Sequence, residues 1–171
     1  FNAVSAEYDP DDPTPSDSGS RSSDDDEYKK KVDEWVNDLA DDAEYNFTSY
    51  AECFVSENLI RKHIQDKKIA LSPPAIEEVK MRKENERLAK EKGNISIDIR
   101  RAPDDSKYLS MEYLANLVDK KKGAKEAGLS RDANEYKPER DAVMHTSLLT
   151  DEAKKKLSSV YENIKCRVKN L

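Results

Sequence analysis

From Tyr28 onward the apolar residues recur at a period of 3.6, and this pattern constrains the chain more than any other feature. Tyr28, Val32, Trp35, Val36, Leu39 and Ala43 fall on one stripe, which predicts an amphipathic helix. A second helix is expected from Phe47 to Asp66, carrying Phe47, Tyr50, Ala51, Phe54, Leu59, Ile60 and Ile64, with Glu57 and Arg61 as an i,i+4 pair. Ser72-Pro73-Pro74 breaks the chain and can open a third helix, Ala75 to Lys92, which is mostly charge and stops at Gly93-Asn94. A fourth helix is expected from Ser106 to Lys122, and Gly128 reads as part of a loop. Pro138 can open a short helix through Met144. The last helix follows Thr150, an N-cap residue backed by Asp151 and Glu152.

The alternation of Ile95, Ile97 and Ile99 with polar residues is strand-like, but it has no partner strand in the sequence. The fold class is therefore all-α, a helical bundle. Its expected core is Trp35, Val36, Leu39, Phe54, Leu59, Tyr113 or Leu114, Leu117, Leu157, Val160, Tyr161 and Ile164. That core must be thin, because charged residues make up 39% of the 171 residues and hydrophobic ones 36%.

The net charge of −6 is unevenly spread. Residues 1–27 hold nine acids and only Arg21 as a base, whereas the other 144 residues hold 27 acids and 29 bases. Rich in Pro, Ser and Asp and poor in apolar residues, 1–27 reads as an acidic disordered linker ahead of a helical domain over 28–171. The acidity belongs to the leader, so it does not argue against an anionic partner for the body. A first residue Phe1 with no apolar segment behind it points to a piece of a longer protein. No stretch reaches the about 18 apolar residues of a membrane span. Cys53 and Cys166 lie far apart with no CxxC, which favours a reducing, cytoplasmic setting.

Phosphate-binding glycine loops, esterase elbows and clustered metal ligands are all missing from the sequence, so no cofactor and no metal is expected. His63 lies in the charged run RKHIQDKK and reads as a surface residue. The segment Tyr136-Lys137-Pro138-Glu139-Arg140-Asp141-Ala142-Val143-Met144-His145 is different. An imidazole can shuttle protons near neutral pH, and a guanidinium can bind a phosphate bidentately. Together they suit metal-independent RNA cleavage. Five residues on an ideal helix rotate by about 140°, so Arg140 and His145 do not share a face, while Asp141 and His145 do. The pair converges only where the helix ends near His145 or a second subunit completes the site.

Arg140-Asp141-Ala142-Val143-Met144-His145 resembles the R-x4-6-H motif of the HEPN superfamily, and ENLIRKHI resembles an early helix of the same family. The resemblance implies a HEPN-like helical bundle that forms a homodimer, with catalytic Arg140 and His145 from both subunits meeting at a shared endoribonuclease site. Asp141 stands where the family usually has a polar residue, often Asn, and would orient His145. Ser147 stands where the nucleotidyltransferase-regulated toxins of the family carry Tyr, so the resemblance is better to HEPN domains attached to larger proteins. It implies RNA as the substrate and an N-terminal parent domain, a sensor or NTPase, within a defence or stress-response protein. The alternatives are a non-catalytic HEPN-like module for dimerisation or RNA/protein docking, and a charged helical adaptor of another family.

Overall fold

The computed structural model describes residues 23–101, 104–119 and 128–171. Most of the expected acidic leader, residues 1–22, lies outside them. Among the described residues all regular structure is helical: α1 (Ser23–Asp66), α2 (Pro73–Lys92), a 3₁₀ turn (Asp105–Tyr108), α3 (Met111–Val118), α4 (Leu129–Met144) and α5 (Asp151–Lys169). The all-α class is what the 3.6-residue period predicted. Ile95, Ile97 and Ile99 form no strand, and all three are exposed. None of these helices is long and apolar enough to cross a membrane.

The chain divides into two compact units, 1–39 and 40–171. In the first, the described residues are the opening turns of α1. This helix begins at Ser23, five residues ahead of the expected boundary at Tyr28. It also has no break between Ala43 and Phe47, because Glu44, Tyr45 and Asn46 contain neither Gly nor Pro to interrupt a helical ladder. Trp35, Val36 and Leu39, expected in the core, are exposed.

In the second unit, the core is built from Cys53, Ile60 and Ile64 of α1, Ala75 and Val79 of α2, and Met111, Leu114, Ala115 and Leu117 of α3. Leu129, Ala133 and Tyr136 of α4 and Leu157, Val160 and Ile164 of α5 complete it. Helix α4 packs against both α3 and α5. The buried residues of α1 are Ser49, Cys53, Ser56, Ile60 and Ile64, spaced four, three, four and four apart. That is a helical stripe of small side chains over its first half, and small residues allow close approach of neighbouring elements. Phe47, Tyr50 and Phe54 lie on the adjacent faces and are exposed, which corrects the placement of Phe54 in the core. Leu59 and Tyr161 are only partly buried.

Three helices end in the same way. After α1, α2 and α4 the backbone turns through a left-handed residue: Lys68 (φ 49°), Asn94 (φ 50°) and Thr146 (φ 60°). In each case the next amide donates back to a carbonyl five residues earlier, Ile69 to Ile64, Ile95 to Lys90 and Ser147 to Ala142. This is the Schellman arrangement, which satisfies carbonyls that the helix leaves unpaired.

The fourth and fifth elements differ from expectation. Ser106–Lys122 is not one helix but the 3₁₀ turn followed by α3, and Lys120 to Lys122 lie outside the described residues. Pro138 does not open a helix; it lies inside α4, which starts at Leu129 after the N-cap Gly128. The Asp119 carboxylate caps that start, accepting the Ser130 amide at 2.8 Å. A Cβ at position 128 would sit 2.6 Å from the same carboxylate, so any other residue would have to displace it from the cap. Helix α5 begins as expected, with the Thr150 hydroxyl accepting the Ala153 amide at 3.2 Å.

Candidate functional site

Glu57 is the centre of a polar network that ties α1 to α4. Its carboxylate pairs with Arg61 Nη2 at 2.9 Å and Arg140 Nε at 3.2 Å, and accepts the Tyr136 hydroxyl at 3.4 Å. Tyr136 also donates to the Cys53 carbonyl at 3.1 Å. Glu57 is nearly buried, and a carboxylate removed from water needs such partners. Arg61 extends the network. It donates to the carbonyls of Ser106 and Leu109 at 3.2 and 3.1 Å, fastening the segment around the 3₁₀ turn to α1. The i,i+4 pair seen in the sequence is thus a nearly buried structural clamp.

Arg140 is half-buried, with its second amine donating to Asp141 Oδ1 at 3.1 Å. Burial works against its charge, but Glu57 and Asp141 outweigh it and hold the guanidinium above its ordinary value. Arg140 is therefore firmly cationic and already partnered on two sides. His145 caps the C-terminus of α4 with near-helical backbone angles, its amide donating to the Asp141 carbonyl at 2.9 Å. Because the helix continues to this point, the about 140° offset between positions 140 and 145 persists. The structure thus brings Arg140 and Asp141 together and leaves His145 exposed outside that network. His63 sits in the last turn of α1.

Beside the Glu57 network lies a groove of about 910 Å³. Six cationic residues line it: Arg61, Arg82, Arg100, Arg101, Lys107 and Arg140. Among the described residues, the acids on it are Glu57 and Glu86. In a chain of net charge −6, this concentrates positive charge on one concave surface. Several of these cations are fixed by ion pairs. Arg82 pairs with Glu78 at 2.8 Å and Arg100 with Glu86 at 2.7 Å. The Arg100 guanidinium also lies over the Tyr108 ring, 4.4 Å from its centroid. Phe54, Tyr108 and Met144 supply apolar surface between the charges, and Asn58 and Asn85 supply amides.

A smaller cavity of about 290 Å³ shares Glu57, Arg82 and Arg140 and adds Glu78, Glu112, Lys137 and Asp141. Asp141 lines this cavity and not the cationic groove, and its 3.1 Å pairing with Arg140 offsets part of that guanidinium's charge. Among the described residues no group of three His, Cys, Asp or Glu side chains is placed to hold a metal ion. Sequence reasoning found Arg140, Glu57 and Arg61 but missed Arg82, Arg100 and Arg101. Each of these sits in a run of mixed charge, and nothing in a run of mixed charge tells which side chains will converge. No family model, no curated protein and no solved structure matches this chain.

Proposed function

We propose that residues 40–171 form an RNA-docking helical module that seats an unpaired strand in the arginine-lined groove. The observation that carries this reading is the six-to-two excess of bases over acids on one concave surface of an acidic protein. Phosphate contacts by Lys and Arg supply most of the sequence-independent affinity for nucleic acid. The exposed Phe54 and Met144, and the Arg100 guanidinium held over Tyr108, favour RNA over a simple polyanion, because unstacked bases bind on aromatic and apolar side chains and on guanidinium planes. The test is fluorescence anisotropy of a labelled unpaired oligoribonucleotide over a range of salt. Replacing Arg82 and Arg101 together by Ala should weaken binding and flatten the dependence of log affinity on log salt by about 1.4, roughly 0.7 for each phosphate no longer neutralised. Affinity and slope unchanged in that variant would remove the groove as the docking site.

A second reading, the metal-independent HEPN-type endoribonuclease, is favoured by one observation: Arg140 lines this groove while His145 is exposed where α4 ends. In this reading a second subunit supplies the His that Arg140 does not meet within its own chain, and the site is complete only in a homodimer. Cleavage would then persist in a metal chelator and leave 2′,3′-cyclic phosphate ends, with the 2′-hydroxyl as nucleophile. Substituting His145 by Ala would lower it about 10²–10⁴-fold while RNA binding stayed intact, with His63→Ala as a control. Binding without cleavage leaves the docking module as the function. The same reading places the chain behind a sensor or NTPase domain of a defence or stress-response protein.

A further inference from the structure

We infer that the first unit pairs with a second copy of itself, through an antiparallel association of the α1 segment 28–39. This goes beyond the docking function and uses none of its residues. Tyr28, Trp35, Val36 and Leu39 are exposed, at 62, 46, 58 and 64%, and Val32 lies between them. Tyr28, Val32, Trp35 and Leu39 follow one another at steps of four, three and four. That is the a/d spacing of a two-stranded coiled coil, with Val32 and Leu39 at a and Tyr28 and Trp35 at d. The aromatic pair is already ordered: the Tyr28 and Trp35 rings meet edge to face at 6.3 Å, and Lys31 lies 5.3 Å from the Trp35 centroid.

Charge and size decide the occupant and its direction. Residues 28–39 carry three Lys, all at positions 29–31, and three acids, Asp33, Glu34 and Asp38, so the segment is neutral and polarised. A parallel copy would set one lysine triplet beside the other. An antiparallel copy sets Lys31 beside Asp38 of its mate, and by symmetry this happens twice. The same direction places each large d residue against a smaller a residue, Trp35 against Val32 and Tyr28 against Leu39, which fills the seam better than stacking two Trp. The stem of Lys29 then covers Val36.

Trp35 is the single tryptophan of the chain, so its emission reports this seam directly. The full chain should show concentration-dependent dimerisation by analytical ultracentrifugation. A blue shift of Trp35 emission should accompany it over the same range. Leu39→Asp should abolish both while far-UV circular dichroism stays helical. Lys31→Glu should weaken dimerisation about tenfold or more, by turning two attractions into repulsions, and Asp38→Lys added to it should restore affinity. A chain that stays monomeric through the millimolar range overturns the inference, as does a dimer whose Trp35 emission does not move or that ignores Leu39→Asp. A Lys31→Glu variant that dimerises as well as the wild type overturns the antiparallel register.

Discussion

Thr146 ends α4 at φ 60°, a left-handed conformation that a β-branched residue adopts only under strain. The Schellman turn imposes it, with the Thr146 and Ser147 amides tied to the carbonyls of Val143 and Ala142 at 3.0 and 2.9 Å. Thr146→Gly removes the Cβ penalty of about 1–2 kcal/mol and gives back part of it as unfolded-chain entropy, so it should raise stability by about 0.5–1 kcal/mol in urea denaturation. A lower midpoint would mean that the Thr146 hydroxyl, 2.7 Å from the His145 carbonyl, stabilises more than the strain costs. Cys53 gives a pH prediction. Burial pushes its thiol up from 9.0 to about 11, only partly offset by the Tyr136 hydroxyl. The folded state thus holds this proton more tightly than the unfolded state does. Its contribution is complete below pH 9 and is lost as pH rises through 11, by about 2–3 kcal/mol in total. Tyr136, also pushed up chiefly by burial, adds to the loss above pH 10. Cys53→Ala should therefore flatten the fall in urea midpoint between pH 9 and 10, where the wild type declines. At this scale the sequence exposed Arg140 and His145 as a pair of suitable chemistries, but not the Glu57 interaction that fixes where Arg140 points. That interaction joins residues 83 apart in the chain, and no local pattern encodes it.

Helices were legible where the apolar stripe and the caps agreed. Helix α5 shows both: Thr150 caps it, and Leu157, Val160 and Ile164 are buried as its period requires. Leu157→Ala should cost about 2–5 kcal/mol, because the residue is 1% exposed and its neighbours are packed around it. The same truncation at Phe47, which is 69% exposed, should stay within about 0.5 kcal/mol of wild type. The sequence of helix α1 is ambiguous for a physical reason. It carries two candidate stripes, one of large aromatic residues and one of small residues, and the second unit buries the small one. Hydrophobicity ranks Phe54 above Ser49 and Ser56, but the buried positions are those of the serines. In helix α4, Pro138 looks like a start signal and hides the first half of the helix. Its ring removes one donor, so the Asn134 carbonyl loses its ladder partner, but the flanking turns carry the helix through. Pro138→Ala restores that bond and removes the clash of the ring with the Asn134 carbonyl, together about 3 kcal/mol, against about 1 kcal/mol of lost unfolded-state restriction. A gain of about 2 kcal/mol is expected in thermal or urea unfolding. A loss would mean that α4 has bent around the proline to pack between α3 and α5.

Over the whole chain, charge and core are divided in the same place. Among the described residues, every buried one lies between Ser49 and Ile164, inside the second unit. Residues 1–39 hold twelve acids and four bases, so 40–171 is left at +2 although the chain is at −6. Deleting 1–39 should therefore act on electrostatics and on the pairing of segment 28–39, and not on the folding of the second unit. The remaining α1 would start at Ala40 with Asp41 and Asp42 in its first turn, where negative charge stabilises a helix N-terminus. Its core would be complete, and its thermal midpoint should lie within a few degrees of the full chain, on the order of the shift from 1 kcal/mol or less. Its isoelectric point should move from about 5.1 to above neutrality. RNA binding should then tighten most at low salt, because the deleted segment contributes eight negative charges of long-range repulsion. The advantage should fade once the Debye length falls from about 30 Å at 0.01 M towards 3 Å at 1 M. Anisotropy titrations of both chains across that salt range test this. A difference that does not shrink with salt would assign residues 1–39 a role other than screened repulsion, in seating the strand or in pairing two grooves.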